Sequence, residues 1–169
     1  MKKYLIALSF TFLSISAFAQ SKVGTIDADY ILNQMPQMAE VNEGLKTYNT
    51  ELQKELENNV AKYETLVKEY QSNGTTLPDE ERKTKESEII SLENDIKNFR
   101  QKAGVMMQLR RNELTKPLYE KINEAMLLVI QEENYTQIFH SGGNDLAFSA
   151  QEFDITMKVL GKLGIQVQE

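Results

Sequence analysis

Few residues in this 169-residue chain are equipped for bond-making chemistry. There is one histidine, His140, and no cysteine. A lone imidazole with no thiolate or second histidine gives neither a metal cluster nor a nucleophile–base pair. His140 therefore reads as a structural or surface residue at the end of a strand. No Gly-x-Ser-x-Gly elbow, phosphate loop or dinucleotide fingerprint occurs. Gly142-Gly143 reads as a turn, with an anion-binding nest as the alternative. The many carboxylates fall on solvated helix faces, which lack the burial that acid–base tuning requires. No catalytic residue, metal or cofactor is implied.

The features that remain belong to binding and mechanics. Lys97, Arg100, Lys102, Arg110, Arg111 and Lys116 share their stretch with one acid, Glu113, giving a local charge of +5 in an acidic protein. Two readings stand: a solvated face balanced by Glu43, Glu51 and Glu55 of a neighbouring helix, or a face that attracts acidic partners. Gly104 precedes Val105-Met106-Met107. Glycine inside a helix costs about 1 kcal/mol relative to alanine, so Gly104 marks a place to bend. Methionines adapt to varied apolar surfaces, though at helical spacing they also serve as ordinary seam packing. Pro117 removes one helical hydrogen bond and is expected to kink its helix, as a joint.

Two long helices must position these residues. From Gln37 to Gln71 apolar residues fall at Met38, Val41, Leu45, Tyr48, Leu52, Leu56, Val60, Tyr63, Val67 and Tyr70. Steps of three and four make one narrow stripe, meant for a partner helix. Residues 72–78 form a turn, in which Asn73-Gly74 permits positive φ. Pro78 then suits the first turn of a second helix, whose positive end favours Asp79, Glu80 and Glu81. Thr76 with Asp79 is a plausible cap. The second stripe runs Ile89, Leu92, Ile96, Phe99, Ala103 and Met106, blurs at Arg110 and Arg111, and resumes at Leu114, Leu118, Ile122, Ala125 and Val129. So short a turn folds the pair back antiparallel. At 1.5 Å per residue the helices span about 52 and about 80 Å, and the second overshoots by about 30 Å into a base.

That base is pieced together from the two ends of the chain. Lys22 to Asp27 reads as a strand, and Asp29 to Met35 as a short helix stopped by Pro36. Residues 135–140 and 145–148 read as a β-hairpin across Ser141-Gly142-Gly143-Asn144. A final helix carries Phe153, Met157, Leu160 and Leu163 on its inner face, capped by Ser149 with Glu152 or by Asp154 alone. Free strand edges in so small a body call for pairing with further copies of the chain.

Residues 1–19 look like a secretory signal: Lys2 and Lys3, an apolar run from Tyr4 to Ile15, and the small-x-small site Ala17-Phe18-Ala19. Its removal takes away two lysines and no acids, moving the net charge from −6 to −8. That disfavours nucleic acid and anionic membrane surfaces as partners. With 8% aromatic and 26% charged residues and no tryptophan, the chain suits a helix pair that buries a seam better than one large core.

The order of these parts resembles the Skp (OmpH) family of periplasmic chaperones. The resemblance is carried by Lys22-Val23-Gly24-Thr25-Ile26-Asp27, Ile31 to Pro36, the tip Thr76 to Arg82, Lys116 to Asn123 and Asp154-Ile155-Thr156. It implies a mainly α fold with a small β body, in which a long antiparallel coiled-coil hairpin projects from an α/β oligomerisation body. It further implies a homotrimer, localisation in the periplasm, and ATP-independent holding of unfolded outer-membrane β-barrel proteins between the arms. The parts would be a signal peptide at 1–19, a discontinuous body of 20–36 and 117–169, and an arm of 37–116 with its tip at 72–78. Candidate client-facing residues are then Arg100, Met106, Met107, Arg110 and Arg111. Gly104 and Pro117 are candidate hinges. Val23, Ile26, Ile138, Phe139, Leu146 and Phe148 are candidate residues of the trimer body. The best-known members are strongly basic, whereas this chain has a pI near 5.0, so attraction to anionic lipid or lipopolysaccharide is not expected. A structural or adaptor coiled coil of the cell envelope is the alternative.

Overall fold

The computed structural model describes residues 21–142 and 146–166. The signal-peptide reading of residues 1–19 and the turn residues Gly143, Asn144 and Asp145 lie outside them. In chain order the elements are strand β1 (Val23–Ile26), helix α1 (Ala28–Gln34), helix α2 (Met38–Asn73), helix α3 (Asp79–Glu133), strand β2 (Gln137–His140), a 3-10 turn (Gln151–Phe153) and helix α4 (Thr156–Lys162). No described helix is long and apolar enough to cross a membrane. The chain divides into two compact units, Pro36–Leu118 and the described residues up to Met35 and from Tyr119 onward.

The first unit is a helical hairpin. Met38, Val41 and Leu52 of α2 and Ile96 and Leu118 of α3 are buried, and the rest of each apolar stripe is half-buried. The seam is therefore one residue wide, as steps of three and four dictate. Near the turn, polar side chains tie the helices together. Tyr70 donates to the Glu86 carboxylate, and Lys85 Nζ lies 3.5 Å from Glu69 Oε2. The turn differs from expectation. Gly74 sits at φ −58°, so positive φ is not its role. A side chain there would place its Cβ 2.5 Å from the Tyr70 carbonyl oxygen, and close approach is what demands glycine. Thr76 closes the end of α2, its Oγ1 donating to the Asn73 carbonyl at 2.8 Å, instead of capping α3. The Thr76 N–H donates to the same carbonyl at 3.0 Å, so this carbonyl at the end of α2 takes two donors from Thr76 in place of a helical one. Helix α3 runs unbroken through Pro117; lacking an N–H, that residue leaves the Glu113 carbonyl without its helical donor.

The second unit is a small α/β body. Its core is Ile26, Ile31, Leu32, Ile122, Ala125, Val129, Tyr135, Ile155, Val159 and Leu160. Asp27 caps α1, with Oδ1 accepting from the Tyr30 N–H at 2.8 Å. Strands β1 and β2 pair in parallel, Val23 with Gln137 through Ile26 with His140. This corrects the hairpin: β2 joins β1, and the described residues 146–150 form no strand. Parallel neighbours need a long crossover, and α1, α2 and α3 supply it. The far edge of β1 is taken instead by a bridge at Thr25–Asp154, where the Ile155 N–H donates to the Thr25 carbonyl at 2.9 Å. Gly24 is required by packing: a Cβ would meet Tyr135 Cε1 at 2.8 Å and Ile138 Cδ1 at 2.9 Å.

The last helix begins later than its apolar spacing suggests. Phe153 lies in the 3-10 turn, so counting helical turns from it gives the wrong phase. Phe153 and Met157 are exposed, and the inner face is Ile155, Val159 and Leu160. The cap position is held by Ile155, not by Asp154, although Asp154 Oδ1, one residue earlier, accepts from the Thr156 N–H at 2.8 Å. An ionic cluster ties the ends of the body together. Glu133, in the last turn of α3, takes Lys158 Nζ at 2.6 Å and Lys22 Nζ at 3.1 Å, while Lys22 also donates to the Glu133 carbonyl. These hydrogen bonds, that of Lys158 first and that of Lys22 second, hold the Glu133 carboxyl below its ordinary value, and the same contact raises Lys158.

Candidate binding surfaces

The body presents an open groove of about 810 Å³ over one face of β1. Register explains which side chains reach it. Gly24 and Ile26 alternate inward with Ile138, whereas Val23, Thr25 and Phe139 share the opposite face. Leu146, Phe148 and Phe153 complete the lining. Phe139, Phe148 and Phe153 are 49%, 83% and 46% exposed. Only one other phenylalanine, Phe99, lies among the described residues, and it is half-buried, so the exposed phenylalanine surface is concentrated here. Thr25 itself is buried beneath this lining, and three exposed phenylalanines around one groove make an apolar patch of the kind that marks interaction sites. Of the six candidate residues of the trimer body, Val23, Phe139, Leu146 and Phe148 line the groove; Ile26 is buried in the body core and half-buried Ile138 packs against Gly24. The sequence assigns Phe153 to the final helix instead of this surface, because its spacing from Met157 and Leu160 imitates one helical face.

The hairpin unit carries the cationic stretch, all of it on α3. Arg110 continues the seam stripe, four residues from Met106 and four from Leu114. It is half-buried, its guanidinium 5.7 Å from the Tyr48 ring centroid and its Nη1 3.1 Å from Glu113 Oε2. Among the described residues the other five, Lys97, Arg100, Lys102, Arg111 and Lys116, are exposed and make no ion pair. None of Glu43, Glu51 and Glu55 balances them; Glu43 pairs with Lys46 on its own helix. Met106 and Met107 are half-buried, and Arg100 lines a groove between α2 and α3 with Val60, Tyr63 and Ile90. The glycine Gly104 is exposed, with nothing within 4 Å of where a Cβ would stand. At the turn, Leu77 is half-buried and its neighbours from Thr75 to Glu81 are exposed polar residues and Pro78, so no flat apolar patch for an adaptor partner is found there.

Neither surface is an enclosed reaction site, and no group of metal-ligating side chains occurs among the described residues. A long helical hairpin and a small open-faced α/β body are what the described residues form. A family model described as outer membrane protein (OmpH-like) matches residues 22–163, and the chain belongs to that family. It is 26% identical to chaperone protein Skp of Photorhabdus laumondii and 28% identical to that of Photorhabdus luminescens. Each match covers 95% of this chain and 98% of the relative. The fold is also that of an OmpH-like protein from Caulobacter crescentus CB15, with a TM-score of 0.60 at 14% identity over 89% of both chains. The family is one of chaperones, not an enzyme class.

Proposed function

We propose that this chain is an ATP-independent periplasmic holdase that keeps unfolded outer-membrane β-barrel proteins from aggregating, in a cavity between the helical arms of a homotrimer. The observation that carries the reading is the match to chaperones named Skp along nearly the whole of both chains. The Phe-lined groove of the body supports self-association, since burying three half-exposed or exposed phenylalanines against further copies removes apolar area from water at about 25 cal/mol per Å². The edge of β2 away from β1 pairs with no strand among the described residues and offers its backbone groups to the same end. Arg100, Met106, Met107, Arg110 and Arg111 contribute to the client-facing region of the arm, and Gly104 and Pro117 let the arm bend.

Holding without ATP follows from linkage. A surface that binds a client only while it is unfolded releases it whenever folding removes the unfolded form. The contacts need only be many and weak. Native mass spectrometry tests the whole reading: residues Gln20 to Glu169 are measured alone and after rapid dilution of a urea-unfolded outer-membrane β-barrel. Three chains alone and three chains with one client are expected. Monomer or dimer with no client bound refutes it and favours the adaptor.

A further inference from the structure

We propose that the Asn73–Gly74 peptide at the turn of the hairpin is a covalent modification site, where the side-chain amide of Asn73 is converted to a carboxylate when the turn opens. It is the one Asn-Gly pair in the sequence. Asn73 is the last residue of α2 and is exposed. Glycine leaves its own nitrogen less shielded than any other residue, and packing admits nothing larger here, since a Cβ at position 74 would stand 2.5 Å from the Tyr70 carbonyl oxygen. The closed turn pins this peptide unit on both sides. The Gly74 N–H donates to the Tyr70 carbonyl at 2.7 Å. The Asn73 carbonyl accepts the Thr76 N–H at 3.0 Å and Thr76 Oγ1 at 2.8 Å.

The reaction needs that same peptide unit to turn. While Asn73 is helical, the Gly74 N–H points back along the helix axis and away from the Asn73 side chain. Once the three hydrogen bonds break, rotation about the Asn73 Cα–C bond brings the Gly74 nitrogen to the Asn73 Cγ. A new N–Cγ bond closes a five-membered succinimide. The Gly74 proton passes through water to the side-chain nitrogen, which departs as ammonia. Water then adds to either ring carbonyl, and the ring opens at that C–N bond. The product is aspartate, or isoaspartate in which the main chain runs through Cγ. One water is consumed and one ammonia released, with no oxidant or cofactor. Either product puts a carboxylate one helical turn from Glu69, which pairs with Lys85, at the helix end where the macrodipole disfavours negative charge. Isoaspartate also lengthens the backbone, so the bond from Gly74 to Tyr70 cannot re-form in register. The turn therefore loosens in one direction.

Peptide mapping by mass spectrometry on the full mature chain at neutral pH follows conversion at residue 73, and the urea-unfolded chain gives the unguarded rate. Folding is expected to slow conversion by the same factor as it slows hydrogen exchange of the Gly74 amide, because both need that N–H released. Thr76→Val removes the hydroxyl, keeps the shape, and should speed conversion about fivefold, the effect of one lost hydrogen bond on the opening equilibrium. Asn73→Asp, which supplies the charge alone, should speed exchange in the last turn of α2 about threefold. Residue 73 left intact in both the folded wild type and Thr76→Val, while the unfolded chain converts, overturns the site. Conversion as fast in the folded chain as in urea, or an unchanged rate in Thr76→Val, overturns the guarding by the turn. Unaltered exchange in Asn73→Asp overturns the loosening.

Discussion

The same substitution, glycine to alanine, should have opposite signs at two positions. At Gly24 an added methyl meets Tyr135 Cε1 at 2.8 Å and Ile138 Cδ1 at 2.9 Å. Tyr135 is buried and fixed between the end of α3 and the Lys22 ammonium, 4.0 Å from its ring centroid, so it has little room to yield. Overpacking of this kind costs about 1–3 kcal/mol, offset by about 0.5–1 kcal/mol for replacing glycine within a strand. The net is a loss of about 1 kcal/mol at the centre of these ranges and about 2.5 kcal/mol at their upper end. At Gly104 nothing stands within 4 Å. Alanine gains the full helix-propensity difference there, about 1 kcal/mol. With about 2–4 °C of Tm per kcal/mol for a chain of this size, Gly24→Ala should melt about 2–10 °C lower and Gly104→Ala about 2–4 °C higher. Thermal unfolding followed by circular dichroism, at one fixed protein concentration because self-association raises apparent stability, reads both. A Gly24→Ala protein as stable as wild type would show that the packing argument is wrong. A destabilised Gly104→Ala would show that the glycine makes a contact its open surroundings do not suggest.

Other consequences are as direct. Glu133 is held below its ordinary value by Lys158 and Lys22, so its contribution is complete above the unfolded carboxyl pKa and is lost as pH falls through the lower folded one; Glu133→Gln should flatten that part of a stability-against-pH profile, and an unaltered slope would remove the cluster from the account. Asp27→Ala deletes the α1 cap and should cost about 1 kcal/mol in urea unfolding; no change in midpoint would mean the helix is held by packing alone. Phe148→Ser, at 83% exposure, should leave protomer stability within about 0.5 kcal/mol while shifting sedimentation toward smaller species; unchanged sedimentation would exclude Phe148 from the association surface.

The helices were legible because their signal is redundant. The stripes from Met38 to Tyr70 and from Ile89 to Val129 repeat the same spacing many times, and one ambiguous residue cannot shift the phase. Arg110 shows the limit: it blurred the stripe in sequence yet keeps its place in the seam, with its stem inside and its charge against Tyr48 and Glu113. Short elements lack that redundancy. Four residues from Gln137 to His140 fix neither the partner nor the direction of a strand, and the neighbouring Gly142-Gly143 invited a local hairpin where β1, more than a hundred residues away, was the partner. Phe153 and Met157 were misplaced for a related reason, because a single 3-10 turn before α4 is enough to rotate a short stripe out of register. Gly74 and Gly24 were visible as glycines, but the atoms that forbid a side chain there come from tertiary packing.

The two units differ in what holds them, and that difference bears on function. In the body nearly every element contributes a side chain to one core, with Ile31, Ile155, Val159 and Leu160 fully enclosed. Opening any one of them exposes the rest, so the unit should behave cooperatively. The hairpin has a single-file seam whose fully buried members are separated by long half-buried stretches, and it is interrupted by a guanidinium at Arg110. Its backbone hydrogen bonds are satisfied within each helix and do not depend on the seam closing. Local separation of the helices therefore costs only the contacts of a turn or two, well below the cost of opening the body. Tightening the seam should accordingly alter holding while leaving association intact: Arg110→Leu completes the apolar stripe between Met106 and Leu114 and removes a half-buried charge. The variant is expected to slow amide hydrogen exchange in the middle of α2 and α3 with no change in oligomeric state. A protein whose hairpin exchanges as before would show that Arg110, stacked on Tyr48, already closes the seam as well as leucine can.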